Sequence, residues 1–112
     1  MITLTDDNFD QHFTQSKLLI LDFWAPWCEP CKDFSKIFFE VAQENQAPDT
    51  YFGSINVDQE KKLAKDFSIR SVPTTAIIRD QVVVFIQSGV MPKKAFVDLL
   101  KQARELPEVI SF

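Results

Sequence analysis

Residues 18–31 read Leu-Leu-Ile-Leu-Asp-Phe-Trp-Ala-Pro-Trp-Cys-Glu-Pro-Cys, and this run decides the fold. Leu18 to Trp24 carries one charge, Asp22, among large apolar side chains. A strand apolar on both faces belongs in the middle of a parallel sheet that helices cover on either side. Both cysteines of the chain, Cys28 and Cys31, follow at once, two residues apart. From Pro30 onward Phe34, Ile37, Phe38, Val41 and Ala42 recur at helical spacing, with Lys32, Asp33, Lys36 and Glu40 facing out. The thiols therefore sit where a strand ends and a helix begins. Free backbone N–H groups of a first helical turn, and the helix dipole, favour negative charge there. Cys28 is thus expected to be held partly as thiolate, the nucleophilic form, and to be the more exposed of the pair. Two thiols at this spacing can close and open a small disulfide ring.

The pattern extends in both directions. Ile2-Thr3-Leu4 suits an edge strand, and Thr5 or Asp6 is expected to cap a helix with Phe9 and Phe13 on one face. The long helix stops near Asn45 or Gln46, before Ala47-Pro48. Tyr51 to Val57 makes a second strand, parallel to the first through a helical crossover. Gln59 to Phe67 reads as a short helix with Leu63, Ala64 and Phe67 inward. Thr74 to Ile78 and Val82 to Ile86 form an antiparallel hairpin across Arg79-Asp80-Gln81, a turn without glycine. Lys93 to Arg104 closes the pattern as an amphipathic helix. The order β-α-β-α-β-α-β-β-α predicts the α/β class, with a central mixed five-stranded sheet flanked by four helices. Residues 1–112 are expected to form one domain, with 104–112 as a short C-terminal tail. The cysteines fall at the carboxyl end of a central strand, where open α/β sheets place their sites.

Composition narrows the function classes. The chain has 112 residues, 46% of them hydrophobic, with 11 Phe, enough for one packed core and too apolar for disorder. Net charge is −4 and no Lys/Arg cluster occurs, so nucleic-acid binding has no electrostatic support. The first residues lack the charged and apolar regions of a secretory signal, and no apolar stretch approaches the ~20 residues that span a bilayer. A soluble cytoplasmic protein, without a membrane partner, is the expectation. In that compartment a cysteine pair is redox-active or metal-binding more often than structural.

The motifs together resemble the thioredoxin family. The matching segments are Asp22-Phe23-Trp24-Ala25-Pro26-Trp27-Cys28-x-Pro30-Cys31-Lys32, then Asn56-Val57-Asp58, Val72-Pro73-Thr74, and Gly89, in the family's order. The likeness covers about residues 2 to 103. It implies the thioredoxin fold and reduction of protein disulfides by a redox-active Cys28–Cys31 pair, with no bound cofactor. The resemblance makes Cys28 the attacking nucleophile, Cys31 the resolving thiol, and Asp22 the acceptor of the Cys31 proton. Pro73 corresponds to the family's cis-proline, which leaves the Val72 backbone free to pair with an extended substrate. Trp27, Pro26, Val72, Pro73, Gly89 and Val90 form the implied substrate surface. Disulfide-containing client proteins and an NADPH-dependent thioredoxin reductase are the implied partners, and the chain is expected to act as a monomer. No glycine-rich nucleotide motif is present, so NADPH is not drawn on directly.

Three positions depart from the family pattern. Glu29 stands where glycine is usual, between Cys28 and Pro30, and its carboxylate is expected to disfavour the Cys28 thiolate modestly. Ser54 stands on the neighbouring strand where a lysine commonly faces the buried aspartate; it brings a hydroxyl without a charge, so Asp22 should be harder to ionise. Lys36 replaces a helix-kinking proline. Alternatives stay open at this stage. Half a zinc site is one, although zinc takes four protein ligands and His12 is the sole histidine. A more oxidising oxidase or isomerase is another, and a thioredoxin-fold binding or chaperone subunit is a third.

Overall fold

Leu18–Trp24 forms β2, the central strand of a five-stranded sheet, in a computed structural model that describes residues 1–107. The elements in chain order are β1 Ile2–Thr3, α1 Phe9–Gln15, β2, α2 Glu29–Glu44, β3 Thr50–Asn56, α3 Lys61–Asp66, β4 Thr74–Arg79, β5 Val82–Ser88 and α4 Lys93–Glu105. The sheet order is β1-β3-β2-β4-β5. β1 and β2 run parallel to β3, whereas β4 runs antiparallel to both β2 and β5. The mixed five-stranded sheet with four helices matches the architecture expected from the pattern.

Alternation along β2 builds two apolar layers. Leu18 and Ile20 face α2 and α4, packing with Phe34, Phe38, Phe52, Ile77, Phe96 and Leu100. Leu19, Leu21 and Phe23 face α1 and α3, packing with Leu4, Phe9, Ile55, Leu63 and Ile78. Phe38 lies 5.7 Å, ring centre to ring centre, from both Phe52 and Phe96, and this aromatic packing pins α2 to the sheet. Asp22 falls on the α2 side by the same alternation, in register with Ser54 of β3 and Thr75 of β4. The one charge of the strand is thereby placed beneath the helix that carries the cysteines.

Local chemistry explains the ends of α2. Cys28 is its N-cap and Pro30 sits in the first turn, where a missing N–H costs nothing. The Asn45 side-chain amide donates to the Val41 carbonyl at 2.8 Å at the other end.

Two expectations need correction. Thr5 does not cap α1, whose N-cap is Asn8; its hydroxyl accepts from the Asn8 N–H at 3.2 Å while Asn8 Oδ1 accepts from the Thr5 N–H at 2.8 Å, which closes the turn before the helix. Asp6 instead caps α3: its carboxylate accepts from the Leu63 N–H at 3.0 Å and the Lys62 N–H at 3.4 Å. Arg79, read as a turn residue, is the buried last residue of β4. The connection is the pair Asp80-Gln81, with φ of 51° and 66°, the backbone of a two-residue hairpin turn that glycine or asparagine usually supplies. Of the expected tail, residues 108–112 lie outside the described residues, and α4 runs to Glu105, one residue beyond the expected end.

Candidate active site

The α2 amino terminus holds a Cys28–Cys31 disulfide. The Cys31 backbone N–H, one of the orphan donors of the first helical turn, points at Cys28 Sγ at 3.2 Å. This donor is aimed at the position where charge appears when Cys28 becomes a thiolate. The Val72 carbonyl oxygen lies 3.6 Å from the same sulfur. Both sulfurs are tucked among Ala25, Trp24, Val57 and Val72. The expected contrast in exposure is slight: Cys28 and Cys31 are 4% and 2% exposed, because Cys28 is drawn in against Cys31 and Val72.

Next to the cysteines, the Val72–Pro73 peptide bond is cis. The loop is held by side chains: Thr74 Oγ1 donates to the Ser71 carbonyl at 2.7 Å, and the Ser71 hydroxyl bonds that of Ser88 at 2.9 Å. Gly89, at φ +103°, adopts a backbone that favours glycine, and its N–H donates to the Pro73 carbonyl at 2.8 Å. Gly89 is thereby tied directly to the cis-proline loop. Trp27 is 68% exposed beside Cys28, Val90 is exposed, and Val72 is half-buried. A groove of about 220 Å³ runs between Trp27, Val57, Ile69, Arg70 and Val72. Pro26 and Pro30 are exposed, and Pro26 borders a second cleft, of about 320 Å³, shared with Trp24, Cys31, Lys32 and Ser35.

Asp22 is buried, 3% exposed, and its Oδ1 has no hydrogen-bond partner among the described residues. Burial pushes its carboxyl up from 3.8 to about 7, and the Ser35 hydroxyl offsets part of that rise. Ser54 is its register neighbour, as expected, but the hydroxyl that acts on the carboxyl belongs to Ser35 of α2. Glu29 is exposed and pairs with Lys32 at 2.8 Å, so a cation accompanies the carboxylate expected to oppose the Cys28 thiolate. His12 lies on α1 against Tyr51, on the far side of the sheet from α2.

Three residues were missed by sequence reasoning. Ser35 is one helical turn after Cys31, a spacing that places it on the Cys31 side of α2. Thr75, fully buried, is a polar residue at an inward position of an apolar strand. Asp58, present in the Asn56-Val57-Asp58 segment without an assigned role, accepts from the Trp27 indole N–H at 3.0 Å and holds that exposed ring in place.

Comparisons with known proteins converge on one family. The family model described as Thioredoxin matches residues 1–102. A Streptomyces coelicolor protein that bears the thioredoxin 2 name is 43% identical over 105 residues, covering 94% of this chain and 77% of its own length. The thioredoxin of Mycoplasmoides gallisepticum is 37% identical, covering 82% of this chain and 90% of its own. The solved structure of a mutant thioredoxin from Halobacterium salinarum NRC-1 superposes with a TM-score of 0.85 at 25% identity, covering 96% of this chain and 93% of that one.

Proposed function

Because the chain belongs to the thioredoxin family and is a thiol–disulfide oxidoreductase, we propose that it reduces disulfides of client proteins, with Cys28 as nucleophile. The observation that carries this reading is the helix-end geometry at Cys28, where the Cys31 N–H is aimed at the sulfur. In the reduced enzyme the Cys28 thiolate attacks one sulfur of the client disulfide, and the other client sulfur leaves with the electron pair. Cys31 then attacks Cys28 Sγ, which forms the Cys28–Cys31 bond and expels the second client thiolate. The Cys31 proton passes to Asp22, which is half-ionised near pH 7 and so acts as a base from neutral pH upward.

Trp27, Pro26, Val72, Pro73, Gly89 and Val90 receive the client in this reading, with the Val72 backbone pairing to an extended segment. Glu29, Pro30 and Ser54 modulate the dithiol and its base. Electrons return to the disulfide from a separate NADPH-dependent thioredoxin reductase. The chain acts as a monomeric single domain in the cytoplasm, and no helix among the described residues is long and apolar enough to cross a membrane.

The test is the reduction potential measured against a glutathione or dithiothreitol couple. A value near −270 mV, that of a thioredoxin, is the expected result. A value of about −120 to −180 mV, the range of oxidases and isomerases, overturns the reductase assignment.

A further inference from the structure

Asp22 is 3% exposed, so a proton that leaves it needs a polar group between the carboxyl and solvent. Asp22 has Ser54 in register on the β3 side and Thr75 on the β4 side; Ser54 is half-buried but lies outside the cleft that Cys31 lines. Thr75 is fully buried, so its hydroxyl does not reach the surface. Asp22 is not among the residues that line the 320 Å³ cleft, whereas Cys31 and Ser35 are. Ser35 is half-buried, lines that cleft one helical turn from Cys31, and its hydroxyl acts on the Asp22 carboxyl. A hydroxyl both donates and accepts, so one serine bridges a buried acid and solvent without carrying charge.

We infer that Ser35 is the positioning residue through which Asp22 exchanges its proton with solvent, by way of the cleft it shares with Cys31. This rests on the reading of Asp22 as the base for Cys31. During release the Cys31 S–H bond breaks, the S–S bond to Cys28 forms, and the client thiolate departs with the electron pair. The proton resides on Asp22 until the carboxyl hands it to Ser35 Oγ while the Ser35 hydroxyl proton moves to water in the cleft. Nothing is oxidised or reduced beyond the exchange itself. The groups facing Asp22 are Ser54 from β3, Thr75 from β4, and Ser35 from α2. Lys32 is the charged residue lining the cleft, and it is paired with Glu29.

The experiment follows client release from a preformed mixed disulfide on Cys28, across pH 6 to 9 and in H₂O and D₂O. Ser35→Ala is expected to slow release about tenfold near neutral pH, the scale of one hydrogen bond to a charged group, and to enlarge the solvent isotope effect. Ser35→Thr is expected to restore both, and Ser35→Ala is expected to add nothing in an Asp22→Asn background. An unchanged rate and isotope effect in Ser35→Ala, while Asp22→Asn does slow release, overturns the inference and leaves the base assignment standing. An equal penalty of Ser35→Ala in the parent and in the Asp22→Asn background also overturns it, since the serine then acts by packing. An Asp22→Asn variant as fast as the parent overturns the base assignment itself.

Discussion

Asp22 and Arg79 are buried ionisable residues on the same face of one sheet, at opposite ends, and their surroundings differ completely. Arg79 ends β4, donates to the Ala103 and Leu106 carbonyls at the end of α4, and pairs with Asp80 at 3.6 Å. Its charge meets the negative end of a helix dipole and the helix's unsatisfied carbonyls. Asp22, at the cysteine end, has an unpartnered Oδ1 and no ion pair among the described residues. One buried charge is answered by its surroundings and closes the fold. The other meets a hydroxyl but no opposite charge, and the carboxyl holds a proton at a pH where ordinary carboxylates are ionised. The lesson is that burial alone does not set a group's protonation; burial without an opposite charge does.

Removing Arg79 breaks the comparison most severely. Arg79→Leu strands two helix-end carbonyls and the Asp80 carboxylate, and is expected to cost about 3–5 kcal/mol of stability in urea denaturation. Per folded molecule, disulfide exchange should stay at the parent rate. A stable variant would mean that the α4 end is held elsewhere.

Asp22→Asn is expected to act with the opposite sign on stability. Between pH 3.8 and about 7 folded Asp22 keeps a proton that the unfolded chain releases, so stability falls as pH rises through that window and levels off above it. The rise from 3.8 to about 7, at roughly 1.4 kcal/mol per pH unit, corresponds to a cost on the order of 4 kcal/mol at pH 9. The variant should therefore unfold at higher urea than the parent at pH 9, with the advantage gone below pH 4, and it should release clients more slowly. Parallel stability curves for the two proteins across that range would contradict the assignment of the raised carboxyl to Asp22.

Smaller effects sharpen the picture at the cysteine end. Asp58→Ala removes the acceptor of the Trp27 indole and is expected to lower kcat/KM for a protein disulfide about threefold through KM, a loss on the scale of one exposed hydrogen bond. A change in kcat alone would assign Asp58 a different role. Glu29→Gly should speed attack by Cys28 by less than about twofold near pH 7, and the gain should vanish at high salt, because Glu29 is exposed and already paired with Lys32. A tenfold gain would show that the carboxylate reaches the thiolate unscreened.

Much of the fold was legible because its signals are local. Leu18–Trp24 was found to the residue, since an apolar run that ends at Ala-Pro has few other readings. The long helix and the hairpin followed from periodicity and spacing, with shifts of a residue or two at their ends. The cysteines, Asp22 and Pro73 were visible through the motif. What stayed hidden depends on segments far apart in the chain. Asp6 reaches the α3 amino terminus more than fifty residues away, and Arg79 finds the end of α4 only once the hairpin is folded beneath it. Ser35 is an unremarked polar position until the register of β2 puts a carboxyl under it. No local pattern announces such meetings.

The most direct test of the central claim is mass spectrometry of the Cys31→Ser variant after reaction with a disulfide-bonded protein. A stable, dithiothreitol-sensitive adduct on Cys28 is expected, and none on the Cys28→Ser variant under the same conditions. A folded Cys31→Ser protein that forms no adduct, or a Cys28→Ser protein that forms one at Cys31 equally fast, would contradict it.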